Sequence, residues 1–303
     1  MNPYQTPAAM TRAISDNART QAKATGIPVN ALIERFYYQR LIARIFLHGA
    51  SGWMLKGGQA LLVRFIRARQ SRDIDLYCLD AEAPASALES FRQAAEVDLG
   101  DHLVFTVRTA TLLPKSQGMK VKVDVLAGPR KVHTISVDLM TNLQPLGDPH
   151  RTPLDAALPM AWPDDWPEVT LYPLTDHVAD KICAMYESHP PGETPSSRFR
   201  DLADLLLIAQ REKLPASLTL AALQSERTRR INLGGSLDFP TSFAVPDPAT
   251  WPAGYKKAAA DVSGLEGCAD LEAAAPLAGA FMTPLLAGTA RGNWDPVAAQ
   301  WTV

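Results

Sequence analysis

The chain has 303 residues, of which 47% are hydrophobic and 20% charged, with a formal net charge of −2. That length supports one large domain or two ordinary ones with a full core, and the balance of residues is that of a globular protein. The charge excludes a polycation that grips nucleic acid by net charge, so any such binding needs a local basic patch. Cys78, Cys183 and Cys268 stand far apart, without metal-ligand spacing. They read as reduced core thiols of a cytoplasmic protein. The six histidines show no ligand spacing either. A signal-peptide pattern is missing, and no apolar run approaches the roughly 20 residues of a membrane helix. No membrane association is therefore expected.

Residues 7–24 are Ala-rich and polar, and predict a surface helix or loosely held lead-in. A stronger helix follows from Ile27-Pro28 to about Phe46, with Leu32, Phe36, Leu41 and Ile45 as its buried side. After a turn at His48–Gly52, Trp53–Lys56 reads as a short strand, and Gly57-Gly58 opens a helical stripe of Ala60, Leu61, Leu62, Phe65 and Ile66. Arg72–Leu79 alternates as a strand does. A helix over 83–98 is followed by strands at Val104–Leu112, Met119–Leu126 and Val132–Leu139, the last two forming a hairpin around Ala127-Gly128-Pro129-Arg130. Residues 143–167, rich in Pro, Asp and Trp, read as a linker between halves. Helices are predicted at Thr175–Ser188 and Ser197–Arg211, separated by a break at His189-Pro190-Pro191-Gly192, and the tail beyond Leu214 reads as short helices and turns. The pattern as a whole predicts an α+β protein: a mixed sheet flanked by helices in residues 1–165, then a mainly helical half in residues 166–303.

Within this frame the aspartates stand out. Side chains at i and i+2 of a strand share a face, so Asp73 and Asp75 project together while Ile74 and Leu76 fill the other side. Two carboxylates so placed repel each other unless a cation neutralises them. Oxygen-only ligands favour Mg²⁺, with Mn²⁺ as an alternative, and Mg²⁺ commonly bridges protein carboxylates to substrate phosphates. The bland alternative is a surface strand with its carboxylates in water. Gly57-Gly58 at a helix start exposes backbone amides suited to phosphate, and Asp124 or Asp138, on later apolar strands, supplies a third carboxylate for a two-metal site. In the helical half, Lys181 borders the Val178, Ile182, Met185 stripe, either snorkelling to solvent or serving as a cation for triphosphate. Asp201 lies about 90° from the centre of the next helix's apolar stripe and looks toward a cleft, whereas Asp204, about 150° away, is expected to be solvated or to cap Arg200.

These residues carry a resemblance. Lys56-Gly57-Gly58, a helix, then Arg69-Gln70-Ser71-Arg72-Asp73-Ile74-Asp75-Leu76 resembles the AbiEii/AbiGii-type nucleotidyltransferase toxins of the DNA polymerase β-like superfamily. The likeness continues through Tyr172-Pro173, Ala179, Lys181 and Ala184-Met185 to Ser197-Arg198-Phe199-Arg200-Asp201-Leu202-Ala203-Asp204-Leu205, and less specifically to Trp294-Asp295-Pro296 and Trp301. The superfamily's usual Gly-Ser is Gly57-Gly58 here, leaving phosphate contact to backbone amides and Lys56.

The resemblance implies a polymerase β-like core and an Mg-dependent enzyme that transfers a nucleotide from an NTP. It implies Asp73, Asp75 and Asp138 as metal ligands, Asp138 being preferred to Asp124 because its strand matches the family's. Lys56, Gly57, Gly58, Ser71 and Lys181 would contact nucleotide or phosphate, with Asp201 orienting Lys181 or touching base or ribose. Ser71 could equally cap the start of its strand. A two-half cleft would join these groups. The implied setting is a toxin–antitoxin or phage-defence pair with a cognate antitoxin, AbiEi-like or other, and an RNA acceptor such as the tRNA 3′ end. Arg64, Arg67, Arg69 and Arg72, and Arg227, Arg229 and Arg230, are the basic clusters available for RNA. Transfer to a small molecule or protein, a metal hydrolase without nucleotide, and an inactive binding version of the fold are the alternatives.

Overall fold

The computed structural model describes residues 3–48, 52–66, 68–113, 118–141, 144–164, 166–188 and 195–302. The predicted turn residues Gly49-Ala50-Ser51, the basic residue Arg67 and the predicted break at His189-Pro190-Pro191-Gly192 lie outside them. The chain divides into two compact units, one of Met1–Val63, Gln70–Gln144 and Pro149–Leu171, the other of Arg64–Arg69, Pro145–Asp148 and Tyr172–Val303.

The first unit opens with α1 (Pro7–Thr25). Thr6 caps it by accepting the Ala9 amide at 3.1 Å, Pro7 takes the first turn, and Gly26, at φ +75°, ends it in the left-handed conformation that favours glycine. Met10, Ile14 and Ala18 are buried, so the polar lead-in is a helix with its own apolar side. Helix α2 (Val29–His48) is buried over most of its length. It carries two arginines that the apolar stripe does not announce. Arg40 Nε and Arg44 both hold Asp101, at 2.7 Å and 2.6 Å, with all three side chains fully buried. The Arg44 guanidinium also lies over Phe105 and that of Arg40 over Trp166. Burial by itself would push the Asp101 carboxyl up, but hydrogen bonds and charge from Arg44 and Arg40 prevail and hold it below its usual range.

Next come β1 (Trp53–Lys56), α3 (Gly57–Arg64), β2 (Asp73–Cys78), α4 (Pro84–Ala95), β3 (Leu103–Leu112), β4 (Gly118–Ala127), β5 (Arg130–Met140), β6 (His150–Pro153) and β7 (Glu168–Leu171). The seven strands form one mixed sheet in the order β3-β4-β5-β2-β1-β7-β6. β4 and β5 make the predicted antiparallel hairpin, and β2 lies parallel to β5, which returns through α4, β3 and β4. Ile74, Leu76, Val121, Val123, Val137 and Leu139 face the core, so the opposite face of these strands takes the aspartates. The predicted linker is corrected here. Residues of 143–167 supply β6 as an edge strand, and Leu154 and Leu158 join the core. Its prolines conceal this, because a proline is tolerated at a sheet edge where it leaves no ladder bond unmade.

The second unit is mainly helical: α5 (Leu174–Tyr186), β8 (Glu187–Ser188), α6 (Phe199–Arg211), β9 (Leu214–Pro215), α7 (Ala216–Asn232), β10 (Ser236–Leu237), α8 (Trp251–Ala260), α9 (Leu271–Leu286), β11 (Asn293–Asp295) and β12 (Gln300–Thr302). The tail is more regular than short helices and turns. α7 has 17 residues and α9 has 16, the latter despite Pro276 and Pro284 within it. Asp270 caps α9, accepting the Ala273 amide at 3.0 Å. Trp294 and Trp301 close against Phe281, with the Trp294 indole donating to the Ala209 carbonyl at 2.7 Å. The three cysteines are free and buried. No described helix is long and apolar enough to cross a membrane.

Candidate active site

In the first unit the strand registers do the assembling. Lys56 on β1 lies opposite Asp75 on β2, Asp75 lies beside Asp138 on β5, and Asp138 lies opposite Lys120 on β4. Directly paired residues project to one face, so the four make a row running Lys, Asp, Asp, Lys across four adjacent strands. One step along the strands, Asp73 lies beside Ser136, which is opposite Lys122. Asp73, Asp75, Ser136 and Asp138 thus occupy the corners of one patch on the polar face. Asp73, Asp75 and Asp138 are half-buried, and Ser136 is only 5% exposed.

The glycine at the start of α3 belongs to the same patch. Gly57 has φ +65°, and a Cβ built there would stand 1.7 Å from Asp75 Oδ2. The Asp75 carboxylate therefore packs against the Cα of the first residue of α3, in space that any side chain at 57 would fill. A helix start favours a negative group through its dipole and its unpaired amides. Lys56 sits with its ammonium 5.4 Å from the centre of the Tyr77 ring, two residues along from Asp75 on the same face. At the entry to β2, the Ser71 hydroxyl donates to the Asp73 carbonyl at 3.1 Å, a local capping bond, and the Tyr38 hydroxyl donates to the Arg72 carbonyl at 3.0 Å. Burial first, then the negative charges of Glu34 and Asp73, push the Tyr38 hydroxyl up to about 12, so it stays protonated as that donor.

The structure distinguishes the two candidates for the third carboxylate by position. Asp138 is the register partner of Asp75, whereas Asp124 lies opposite Thr134, one strand further out and beyond the Asp73 row. Asp124 is also engaged locally: Thr134 donates to it at 2.7 Å, and Lys131 and Arg108 approach at 3.5 and 3.8 Å. Its desolvation opposes ionisation, but the Thr134 bond and the two cations keep its carboxyl below its usual range. Asp138 Oδ1 is buried without a hydrogen-bond partner, its nearest cation being Lys120 Nζ at 3.4 Å.

Among the described residues, no three acidic, histidine or cysteine side chains are drawn together as a metal-binding group. Two features of the patch suit a divalent cation nonetheless. Its donors are all oxygens, the set that magnesium takes. Two of those oxygens, Asp138 Oδ1 and Ser136 Oγ, are buried and have no hydrogen-bond partner, a condition that normally costs free energy unless a ligand satisfies it.

The second unit holds the other predicted residues. Lys181 on α5 is buried, its ammonium 2.8 Å from Asp201 Oδ1 and 2.7 Å from Asp204 Oδ2 on α6. Arg69 makes a two-pronged contact with Asp204, with bonds of 2.9 and 3.0 Å. Burial would pull the Lys181 ammonium down, but Asp201 and Asp204 hold it above its usual value. The expectation for Asp204 is overturned: it is fully buried and joins Arg69 to Lys181 rather than meeting solvent or capping Arg200. Wheel position places a side chain relative to one stripe, and cannot foresee cations brought to the other side by another segment. Arg69 and Asp204 both belong to the motifs that carry the family resemblance, which was the only sign of them in the sequence.

The basic clusters also read differently once placed. Arg64 donates to the Tyr172 carbonyl at 3.1 Å and Arg69 serves Asp204, while Arg72 stays exposed. Arg229 and Arg230 bind Glu226, Arg230 also pairs with Asp180 and Glu187, and Arg227 stacks over Phe239. Most of these cations bind their own chain.

Over residues 40–275 the chain matches the family model of the AbiEii nucleotidyl transferase toxin of type IV toxin–antitoxin systems. The chain belongs to this family. Among solved structures it is similar to MenT4, a nucleotidyltransferase toxin from Mycobacterium tuberculosis H37Rv, at 15% identity and a TM-score of 0.51, covering 92% of this chain and 98% of that one. It is similar also to JHP933 from Helicobacter pylori, at 15% identity and a TM-score of 0.43, covering 84% and 92%. No curated protein has a matching sequence. The likeness to MenT4 agrees with an α+β nucleotidyltransferase fold, and family membership makes this chain a nucleotidyltransferase toxin whose system includes an antitoxin.

Proposed function

We propose that this toxin transfers a nucleoside monophosphate from an NTP to an RNA acceptor, the 3′ end of tRNA, and so blocks translation until its antitoxin intervenes. The observation that carries the site is the register of β2 against β5, which sets Asp75 beside Asp138 and Asp73 beside Ser136. In this reading Asp73, Asp75 and Asp138 hold Mg²⁺ or Mn²⁺, which when bound supplies charge neutralisation for the triphosphate and lowers the pKa of the acceptor hydroxyl.

Each residue then has a part. The Gly57 and Gly58 amides, with Lys56, take phosphate oxygens, the missing side chains allowing close approach. Ser71, with its hydroxyl on the Asp73 carbonyl, shapes the entry to the strand and leaves direct phosphate contact to those groups. The acceptor oxygen attacks the α-phosphorus and forms a new P–O bond. The bond to the bridging oxygen breaks, pyrophosphate leaves with the electron pair, and the hydroxyl proton passes to the Asp138 carboxylate. Lys181, its ammonium oriented by Asp201 at 2.8 Å, is the cation that the second unit would offer to phosphate. Little covalent work falls to the protein, so positioning and electrostatics supply the rate.

The test is incubation of the purified chain with Mg²⁺ or Mn²⁺, each labelled NTP in turn and total tRNA, beside Asp75→Asn. Label in tRNA with the intact chain and none with the variant is the expected result. Label only in small molecules or in protein would overturn the acceptor, a possibility favoured by the internal pairing of the arginines. No transfer under any of these conditions would overturn the reaction.

A further inference from the structure

Ser136 carries a buried hydroxyl that has no hydrogen-bond partner among the described residues. It lies on β5 two residues before Asp138, on the same face, and its register partner on β2 is Asp73. The residues between and beside them, Ile135, Val137 and Leu139, are fully buried in the core, so the face they leave to Ser136 is that of the aspartates. Its Oγ has no hydrogen-bond partner although the residue is only 5% exposed. A serine in a strand could be replaced by alanine or valine at no packing cost, and a buried hydroxyl without a partner is a net burden on stability. Such a group is kept where a ligand uses it. Asp138 Oδ1, which also lacks a hydrogen-bond partner and has Lys120 Nζ at 3.4 Å, belongs to the same patch.

The opposing strand argues in the same direction. Lys122 is the β4 partner of Ser136, and Lys120 that of Asp138. Cations therefore border the patch on that side and cannot themselves be ligands for a metal ion. A neutral oxygen is what remains to be added at the fourth corner. A hydroxyl is a hard donor that accepts a divalent cation without adding charge to three carboxylates already in repulsion.

We infer that Ser136 Oγ is a fourth oxygen donor to the divalent cation held by Asp73, Asp75 and Asp138. This rests on the metal-site reading above, and goes beyond it by assigning a residue outside the motifs that identify the family. The neutral donor fills the corner beside Asp73 that no carboxylate supplies.

The test is Mn²⁺ binding to the full-length chain without nucleotide, followed by electron paramagnetic resonance and calorimetry, for the intact chain, Ser136→Ala, Ser136→Cys and Asp138→Asn. Ser136→Ala is expected to keep its fold and its Tm, or to gain slightly, while Mn²⁺ affinity falls by about tenfold or more, the loss typical when groups supporting a metal are removed. Ser136→Cys is expected to bind Cd²⁺ at least about tenfold more tightly than Ser136→Ala does, because a thiolate favours a soft metal. Mn²⁺ binding that is lost in Asp138→Asn but unchanged in Ser136→Ala would overturn the role of Ser136 and leave the carboxylate site standing. Cd²⁺ binding by the cysteine variant no tighter than by the alanine variant would also overturn direct coordination. Mn²⁺ binding that is undetectable in the intact chain, or indifferent to Asp138→Asn, would sink the metal-site reading and this inference together.

Discussion

Replacing Gly57 by alanine separates backbone strain from displacement of Asp75, the carboxylate proposed to hold the metal. Two terms act. The first is conformational: at φ +65° an alanine pays the left-handed penalty, about 1–2 kcal/mol, of which roughly 0.4–1 kcal/mol returns through the stiffer unfolded chain. The second is steric: the new Cβ would lie 1.7 Å from Asp75 Oδ2 and 2.7 Å from its Cγ, so the carboxylate must retreat to at least the 3.4 Å of ordinary contact. Gly26 provides the control, since its φ is +75° but nothing lies within 4 Å of its Cβ position. Gly26→Ala should therefore cost only the strain, about 1 kcal/mol or a fall in Tm of about 2–4 °C, with transfer activity and growth toxicity intact. Gly57→Ala should cost at least as much in Tm. It should also lose activity by about a hundredfold, the scale on which a 1 Å misplacement acts at a reacting centre. Thermal unfolding and labelled-nucleotide transfer on the same preparations check this. Activity of Gly57→Ala within tenfold of Gly26→Ala, at equal folded fraction, would refute the claim that Gly57 is there to seat Asp75.

Asp73→Asn or Asp75→Asn should abolish transfer while leaving the urea midpoint within the range of ordinary surface changes, about 0.5 kcal/mol; retained transfer would dispose of the assigned metal ligands. Asp204→Asn should destabilise strongly, by about 3–5 kcal/mol, because it removes one of the two carboxylates that hold buried Lys181 and the one that Arg69 grips with two bonds; a loss below about 1 kcal/mol by urea unfolding would contradict a charge-held network. The Asp101 carboxyl sits below its unfolded value of 3.8, so its contribution is present above that pH and disappears as pH falls through the folded pKa. The stability gap between the intact chain and Asp101→Asn should accordingly narrow in acid. Lys181, raised above 10.5, contributes below that value and loses its contribution as pH rises through its folded pKa; alkaline unfolding should come at lower pH in Asp201→Asn.

Much of the sheet could be read from alternation alone. β2, β3, β4 and β5 lie where the apolar periodicity put them, because a strand with one buried face must alternate, and β1 showed as a short apolar run. Lys56-Gly57-Gly58 before a helix and Asp73-Ile74-Asp75 on a strand were legible for the same reason: both are local patterns, complete within a few residues. The edge strand β6 was not, since its stabilisation comes from pairing with β7 and not from its own composition. Nor were the buried ion groups of Arg40, Arg44 and Asp101, or of Arg69, Lys181 and Asp204. A charge is buried only when a partner comes to it, and here the partners arrive from 23 to 135 residues away.

The sequence by itself determined most of the element types, the order of the motifs and the family they belong to, because hydrophobic period, turn residues and motif spacing are properties of neighbours along the chain. The tertiary structure alone decided which aspartates stand together. It set Asp138, the carboxylate to which the family resemblance already pointed, beside Asp75 through the register of β2 on β5, enclosed Asp204, and brought Ser136 beside Asp73. Register is set by packing one face of every strand at once, and a shift of one residue would turn each of these side chains to the opposite face.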